Sequence, residues 1–219
     1  METFEEVRAL AESMNVKIRY KDTSLFMRVL SYLLFFNKTF MQKFTTTIGS
    51  TVYFPSEAHV KEEPMTAAVI LAHELTHVQD SRDMGSLVFS TCYLLPQIGA
   101  LLALFALLAI TFSAWWLVTL AALAALAPWP APGRAWAEYR GYATTLACYT
   151  WAGYDASTLP EKISKNFTGM DYFRMDPDED RVKSTLQGWV ADIESGAVLD
   201  KLPMARRLQP IFQKLRNKA

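Results

Sequence analysis

The stretch Leu71-Ala-His-Glu-Leu-Thr-His-Val-Gln-Asp80 holds two histidines four positions apart, with a glutamate directly after the first. On a helix of about 3.6 residues per turn, His73 and His77 share one face about 6 Å apart along the axis, so both imidazoles reach one zinc ion at about 2.0 to 2.1 Å. Glu74, between them, is then placed to act as general base on a water that such a metal activates. The flanks supply the helix this requires: Glu62 and Glu63 at its start, Pro64 in the first turn, then Met65 to about Arg82 without internal Gly or Pro. With 3 His and 12 Glu in 219 residues, chance supplies about 0.002 such patterns. The plain alternative is a pair of helix-surface histidines beside a structural glutamate.

Directly after this helix the composition changes. The 22 Lys plus Arg balance 22 Asp plus Glu, yet residues 84–133 form a run of 50 without one charged side chain. Fifty α-helical residues would extend about 75 Å, whereas a hydrocarbon core is about 30 Å thick, so two crossings with a tight turn fit and one does not. The first span is expected from about Leu87 to Leu108, kinked by Pro96. Its part from Ile98 to Ile110 holds five Leu, two Ile and one Phe, worth about −2.4 to −4.8 kcal/mol on an insertion scale. Thr111, Phe112 and Ser113 are the expected turn, Trp115 and Trp116 suit an aromatic belt, and the second span runs from Ser113 to about Trp129, ended by Pro128, Pro130 and Pro132. Arg82 just before and Arg134 and Arg140 just after place both ends of the hairpin, and the active site, in the cytosol, at the inner membrane if the source is bacterial. A helical pair buried in a soluble core is the alternative.

A catalytic zinc needs a third protein ligand and one open position. Asp83 lies six residues past His77, but the immediate turn-back this needs calls for Gly where Asp80 stands. His59 precedes the motif helix in an expected loop. Glu138 sits in Ala135-Trp-Ala-Glu-Tyr-Arg-Gly-Tyr142, a helical segment beginning as the hairpin returns, and is the preferred ligand. His73-Glu74-x-x-His77 followed by a glutamate on a later helix resembles the gluzincin metallopeptidases. A membrane hairpin between motif helix and ligand helix is similar to the integral-membrane CAAX-prenyl-protease and HtpX group, and Gln79, Gly85 and Glu138 near Tyr142 are similar to small bacterial HELTH-type peptidases. The resemblance covers roughly residues 45–142. Two departures stand out: the prenyl-protease type has an aspartate where this chain has Tyr142, and membrane helices ahead of the zinc motif, for which only the stretch from Leu25 to Phe36 stands in.

The expected fold is therefore α+β and mostly helical: a zincin-like small sheet and the zinc-motif helix in 1–83, a transmembrane hairpin in 84–133, the third-ligand helix in 134–154, and a cytosolic helical region in 155–219. Lys17 to Tyr20 and Phe44 to Phe54, with a bend at Gly49-Ser50, read as strands, and the second is either a peptide-binding edge or an ordinary core hairpin. The 12 residues from Leu25 to Phe36 contain Arg28 and are too short to span; with Lys21, Lys38 and Lys43 nearby they suit either the headgroup region or a core helix. Asp176-Pro177-Asp178-Glu179 opens a helix to about Ser195, with Asp176 as the cap and Gly196 as the stop, and a basic helix runs from about Pro203 to Lys218, facing solvent or anionic lipid.

Met1 to Glu12 lacks the pattern of a signal peptide, zero net charge removes nucleic acid as a partner, and Cys92 and Cys148 suit two small buried hydrophobes. The expected function is zinc-dependent hydrolysis of peptide bonds in membrane-associated or unfolded proteins, with Zn²⁺ on His73, His77 and Glu138, Glu74 as base, and Tyr139, Tyr142 or Arg140 as donors to the developing oxyanion. Two rivals remain open: a non-catalytic membrane scaffold or partner-binding protein with a structural zinc site, and a membrane-active hairpin with a vestigial one.

Overall fold

The computed structural model describes residues 1–33, 40–42, 44–170 and 173–217. Its small sheet has the order β1-β3-β2, with β1 (Lys17–Tyr20) parallel to β3 (Thr51–Phe54) and β2 (Thr46–Ile48) antiparallel to it. The two-residue link between β2 and β3 needs a backbone that Gly49 supplies at φ +59°. β2 is thereby an edge, and Thr47 lies opposite Val52. Alternation along β3 sends Val52 and Phe54 into the main core, while Tyr53 joins Met27 and Phe40 in a small second cluster.

Helices α1 (Glu2–Ser13), α4 (Pro64–Met84) and α6 (Pro132–Trp151) enclose that core, with α4 packed along both others. α4 starts with Pro64 in its first turn, as the sequence implies. It is tied to α6 by polar contacts as well as by Leu71, Leu75, Leu146 and Ala147: Thr76 and Thr144 share a hydrogen bond of 2.8 Å, and Arg140 forks onto Asp80 at 2.7 and 2.9 Å.

The C-terminal helices are not an appendage. From α7 (Leu159–Thr168), α8 (Glu179–Ser195), α9 (Val198–Lys201) and α10 (Pro203–Arg216), the side chains Phe167, Leu186, Val198, Leu208 and Phe212 are all buried in the same core. α10 also lies against α1, where Lys214 meets Glu6 at 2.8 Å and Arg207 reaches Ser13. Arg206, Arg207 and Lys214 thus have acidic or polar partners in the fold, Arg206 on Asp200 included; Lys218 lies outside the described residues. The cap of α8 is Asp178, which accepts from the Arg181 N–H, and not Asp176, whose carboxylate takes up Tyr139 and Arg181.

The uncharged block departs from one expectation. The stretch from Leu87 to Leu108 is two elements, α5 (Ser86–Leu94) and a 3₁₀ segment Gln97–Ile110, set at 89° to each other. Pro96 between them has no N–H to continue the ladder, and its ring excludes the next helical turn. The turn falls at residues 111–113, and a second 3₁₀ segment, Ala114–Leu126, returns along the first. Among the described residues no single helix is long and apolar enough to cross a membrane; α5 and Gln97–Ile110 pass that test only as a bent pair. At about 2.0 Å rise per residue, the 3₁₀ segments of 14 and 13 residues are about 28 and 26 Å long. The rest of the chain does not cover this pair: neither segment has a buried residue, and Leu104, Ile110 and Trp115 are 62, 81 and 81 % exposed.

α2 (Leu25–Leu33) likewise leaves Leu25, Phe26, Val29 and Tyr32 exposed while Met27 anchors it. Of the cations expected around it, Lys21 turns fully inward, with Nζ donating to the Phe40 carbonyl at 2.7 Å over the Phe40 ring. Residues 34–36, Lys38 and Lys43 lie outside the described residues.

Candidate metal centre

Three side chains from the two tied helices meet at one point. His73 and His77, one turn apart on α4, bring their Nε2 atoms to 3.0 Å, and Glu138 from α6 places Oε2 3.5 Å from His73 Nε2 and Oε1 3.7 Å from His77 Nε2. Ligand atoms around a tetrahedral zinc are about 3.3 Å apart, as follows from bonds of about 2.0 to 2.1 Å. These three residues are the group among the described residues whose ligand atoms converge tightly enough to hold a metal ion. Asp83 is instead engaged by Gln79 at 2.8 Å, and His59 lies in the last turn of the short helix α3 (Glu57–Glu62), outside the group.

The surroundings fit a cation. Thr145 can donate to the Gly141 carbonyl at 3.3 Å, which leaves its oxygen to accept from His73 Nδ1 at 3.3 Å; the neutral ring then presents an unprotonated Nε2 to the centre. His77 Nδ1 is buried without a partner. Although burial works against both charges, the contact between Glu138 and His73 holds the Glu138 carboxyl down at about 2 and raises His73 above its ordinary value. Burial, and then the neighbouring His73, push His77 the other way. The converging donor atoms and the carboxylate among them suit a bound cation.

Close packing sets the ring positions. Gly141 on α6 faces His73, and a Cβ at that position would stand 2.5 Å from Nε2. The Tyr142 ring meets the His73 ring edge to face at 4.9 Å, and Phe89 and Tyr93 of α5 wall the far side of His77. Tyr93 donates its hydroxyl to Glu138 Oε1 at 2.6 Å. Glu74 points elsewhere: its Oε2 accepts from Thr47 on the edge strand β2 at 2.7 Å, at a cleft of about 230 Å³ lined by Phe44, Val69, Ile70, Tyr142 and Tyr149. Burial brings the Lys21 ammonium down to about 8, although the Glu74 carboxylate works to raise it.

Of the three oxyanion donors expected from the sequence, Tyr142 alone lines this cleft. Tyr139 is spent on Asp176 at 2.9 Å and stacks on Phe167, and Arg140 is held by Asp80, so neither is positioned for that role. Sequence reasoning passed over Thr47, Tyr93, Gly141 and Thr145, which carry no spacing signal of their own. The chain matches no protein-family model, no curated protein and no solved structure.

Proposed function

We propose that this protein is a membrane-associated zinc-dependent endopeptidase of the gluzincin kind. The observation that carries the reading is the convergence of His73, His77 and Glu138 beside a glutamate that is outside the group and faces a cleft. A zinc ion held by those three residues would supply Lewis-acid polarisation of a scissile carbonyl and a water of lowered pKa. Thr47 fixes Glu74 through Oε2, leaving Oε1 to take a proton from the attacking water and deliver it to the leaving amine nitrogen. Tyr142 stands beside the cleft, its hydroxyl oxygen accepting from Asn166 at 2.7 Å, where it can orient the reacting carbonyl.

Among the described residues β2 is an edge strand beside Glu74, which supports an extended polypeptide as substrate, since an edge strand offers main-chain donors and acceptors along its length. The exposed apolar hairpin and the exposed side chains of α2 support a lipid bilayer as the second partner. Under this reading the substrate is a membrane-associated or unfolded protein cut on the cytosolic side.

Zinc content per chain of detergent-purified protein, with hydrolysis of an unfolded polypeptide, tests the proposal. Wild type should carry about one zinc, lost or much weakened in His73→Ala and Glu138→Ala, and Glu74→Gln should keep zinc while losing hydrolysis. Zinc-free wild type, or hydrolysis retained in Glu74→Gln, would refute it.

A further inference from the structure

α5 stands at the entrance to the hairpin, yet its Tyr93 reaches across 45 residues of sequence to the Glu138 carboxylate. An O–H···O⁻ bond of 2.6 Å to a buried carboxylate is charge-assisted and directional. A ligating carboxylate has two oxygens and about four lone-pair directions, so a donor fixed on one oxygen selects how the other is presented. The Tyr93 ring is itself held in place, stacked with Phe89 at 6.0 Å and edge-on to His77 at 6.1 Å.

Arg134, in the first turn of α6, locks the main chain that carries Tyr93. It donates from Nε to the Tyr93 carbonyl at 3.0 Å and from a terminal nitrogen to Gln97 Oε1 at 2.9 Å, with the guanidinium over the Tyr93 ring. Gly133 lets the two helices approach this closely, since a Cβ there would lie 2.4 Å from the Cys92 carbonyl oxygen. One buried arginine thus grips both the last turn of α5 and the first residue of the 3₁₀ segment Gln97–Ile110, four residues ahead of Glu138 on its own helix.

We propose that Tyr93 is a positioning residue of the metal centre, orienting Glu138 through its hydroxyl, and that Arg134 sets its place, so that the chain entering the apolar hairpin helps determine metal affinity. This rests on His73, His77 and Glu138 being the zinc ligands. It adds a role for a residue that touches neither substrate nor the reacting atoms, and it makes the placement of the hairpin an input to the site.

The test is zinc affinity of the full-length protein in detergent, by competition with a chromophoric chelator, for wild type, Tyr93→Phe, Arg134→Ala and the double variant. Visible absorption of the cobalt(II)-loaded forms reports ligand geometry, and melting of the metal-free proteins reports fold. Tyr93→Phe keeps the ring, so its metal-free form should still melt cooperatively, lowered by no more than the loss of one hydrogen bond to a charged group, while zinc binds about 10- to 100-fold more weakly and the cobalt bands shift. Arg134→Ala should weaken zinc in the wild-type background and add little once the hydroxyl is gone, the non-additivity of a shared route. Tyr154→Phe, at an exposed tyrosine away from the centre, is the control that should change nothing. Zinc affinity in Tyr93→Phe within twofold of wild type, or tighter, would overturn the inference, as would fully additive losses in the double variant. A wild type that binds no zinc would instead overturn the ligand assignment and the inference with it.

Discussion

Gly141→Ala separates metal binding from folding. In an ordinary helix the exchange stabilises by up to about 1 kcal/mol. Here the new methyl would lie 2.5 Å from His73 Nε2, 2.6 Å from Cε1 and 2.9 Å from Cδ2, whereas carbon atoms rest about 3.5 to 4.0 Å apart. The imidazole must retreat by about 1 Å, several times the tolerance of about 0.2 Å on a metal–ligand distance. A side chain can make that movement while α4 and α6 stay packed, so the metal-free protein should melt within a few degrees of wild type. Zinc, short of one ligand, should bind at least about 100-fold more weakly, at or beyond the upper end of what loss of an outer hydrogen bond costs. At free zinc of about 100 times the wild-type Kd, binding stabilises wild type by about 2.7 kcal/mol and the variant by about 0.4 kcal/mol. For a chain of this size the wild-type shift in Tm is about 5 to 11 °C, and the variant should keep about 1 °C of it. Thermal unfolding in detergent with and without zinc measures both, and a full zinc-induced shift in Gly141→Ala would refute the packing argument.

Thr47→Val removes the donor to Glu74 Oε2 and leaves the three-residue metal group intact, so hydrolysis should fall about tenfold in kcat with zinc affinity unchanged, read by steady-state kinetics beside chelator competition. Asp80→Ala strands Arg140 between two packed helices, where Asp80 is 3 % and Arg140 18 % exposed at the side chain; a loss of about 3 to 5 kcal/mol is expected, measured by denaturant unfolding. Asp176 has its carboxyl held below the usual 3.8, because bonds from Arg181, Tyr139 and the Asp178 N–H outweigh burial. A depressed carboxyl stabilises above its unfolded value and loses that contribution as pH falls through the folded one. Asp176→Asn should therefore be less stable than wild type at neutral pH, with the gap closing as pH drops below 3.8.

Much of this arrangement is legible in local sequence. Pro64 and the unbroken run after it mark α4, the alternation at Lys17 to Tyr20 marks β1, and Thr111 to Ser113 mark the hairpin turn, since each depends on residues close in the chain. Glu138 is legible as the partner of His73 and His77 because a catalytic zinc would need a third ligand after the motif, and the structure brings it to them. Tyr93 was absorbed into an apolar span, because hydropathy averages over a window and cannot show that one hydroxyl turns back 45 residues downstream. Gly141 and Gly133 matter through what they face, which is a property of helix packing and not of their neighbours. The helices from Leu159 onward read as a region apart from the catalytic part because their charge density is high, yet their apolar stripes complete the core.

The meeting of α1 with α10 also orders events in time. His73, His77 and Glu138 have all been synthesised long before Phe212 and Leu208 arrive to seal the core between α4 and α6. At about 5 to 20 residues per second, translation from Glu138 to Arg216 takes roughly 4 to 16 s. Throughout that interval the apolar hairpin has been synthesised, while the helices that complete the core beside it have not. A chain stalled in that interval thus holds His73, His77 and Glu138 without the C-terminal side chains that complete the core around α4 and α6.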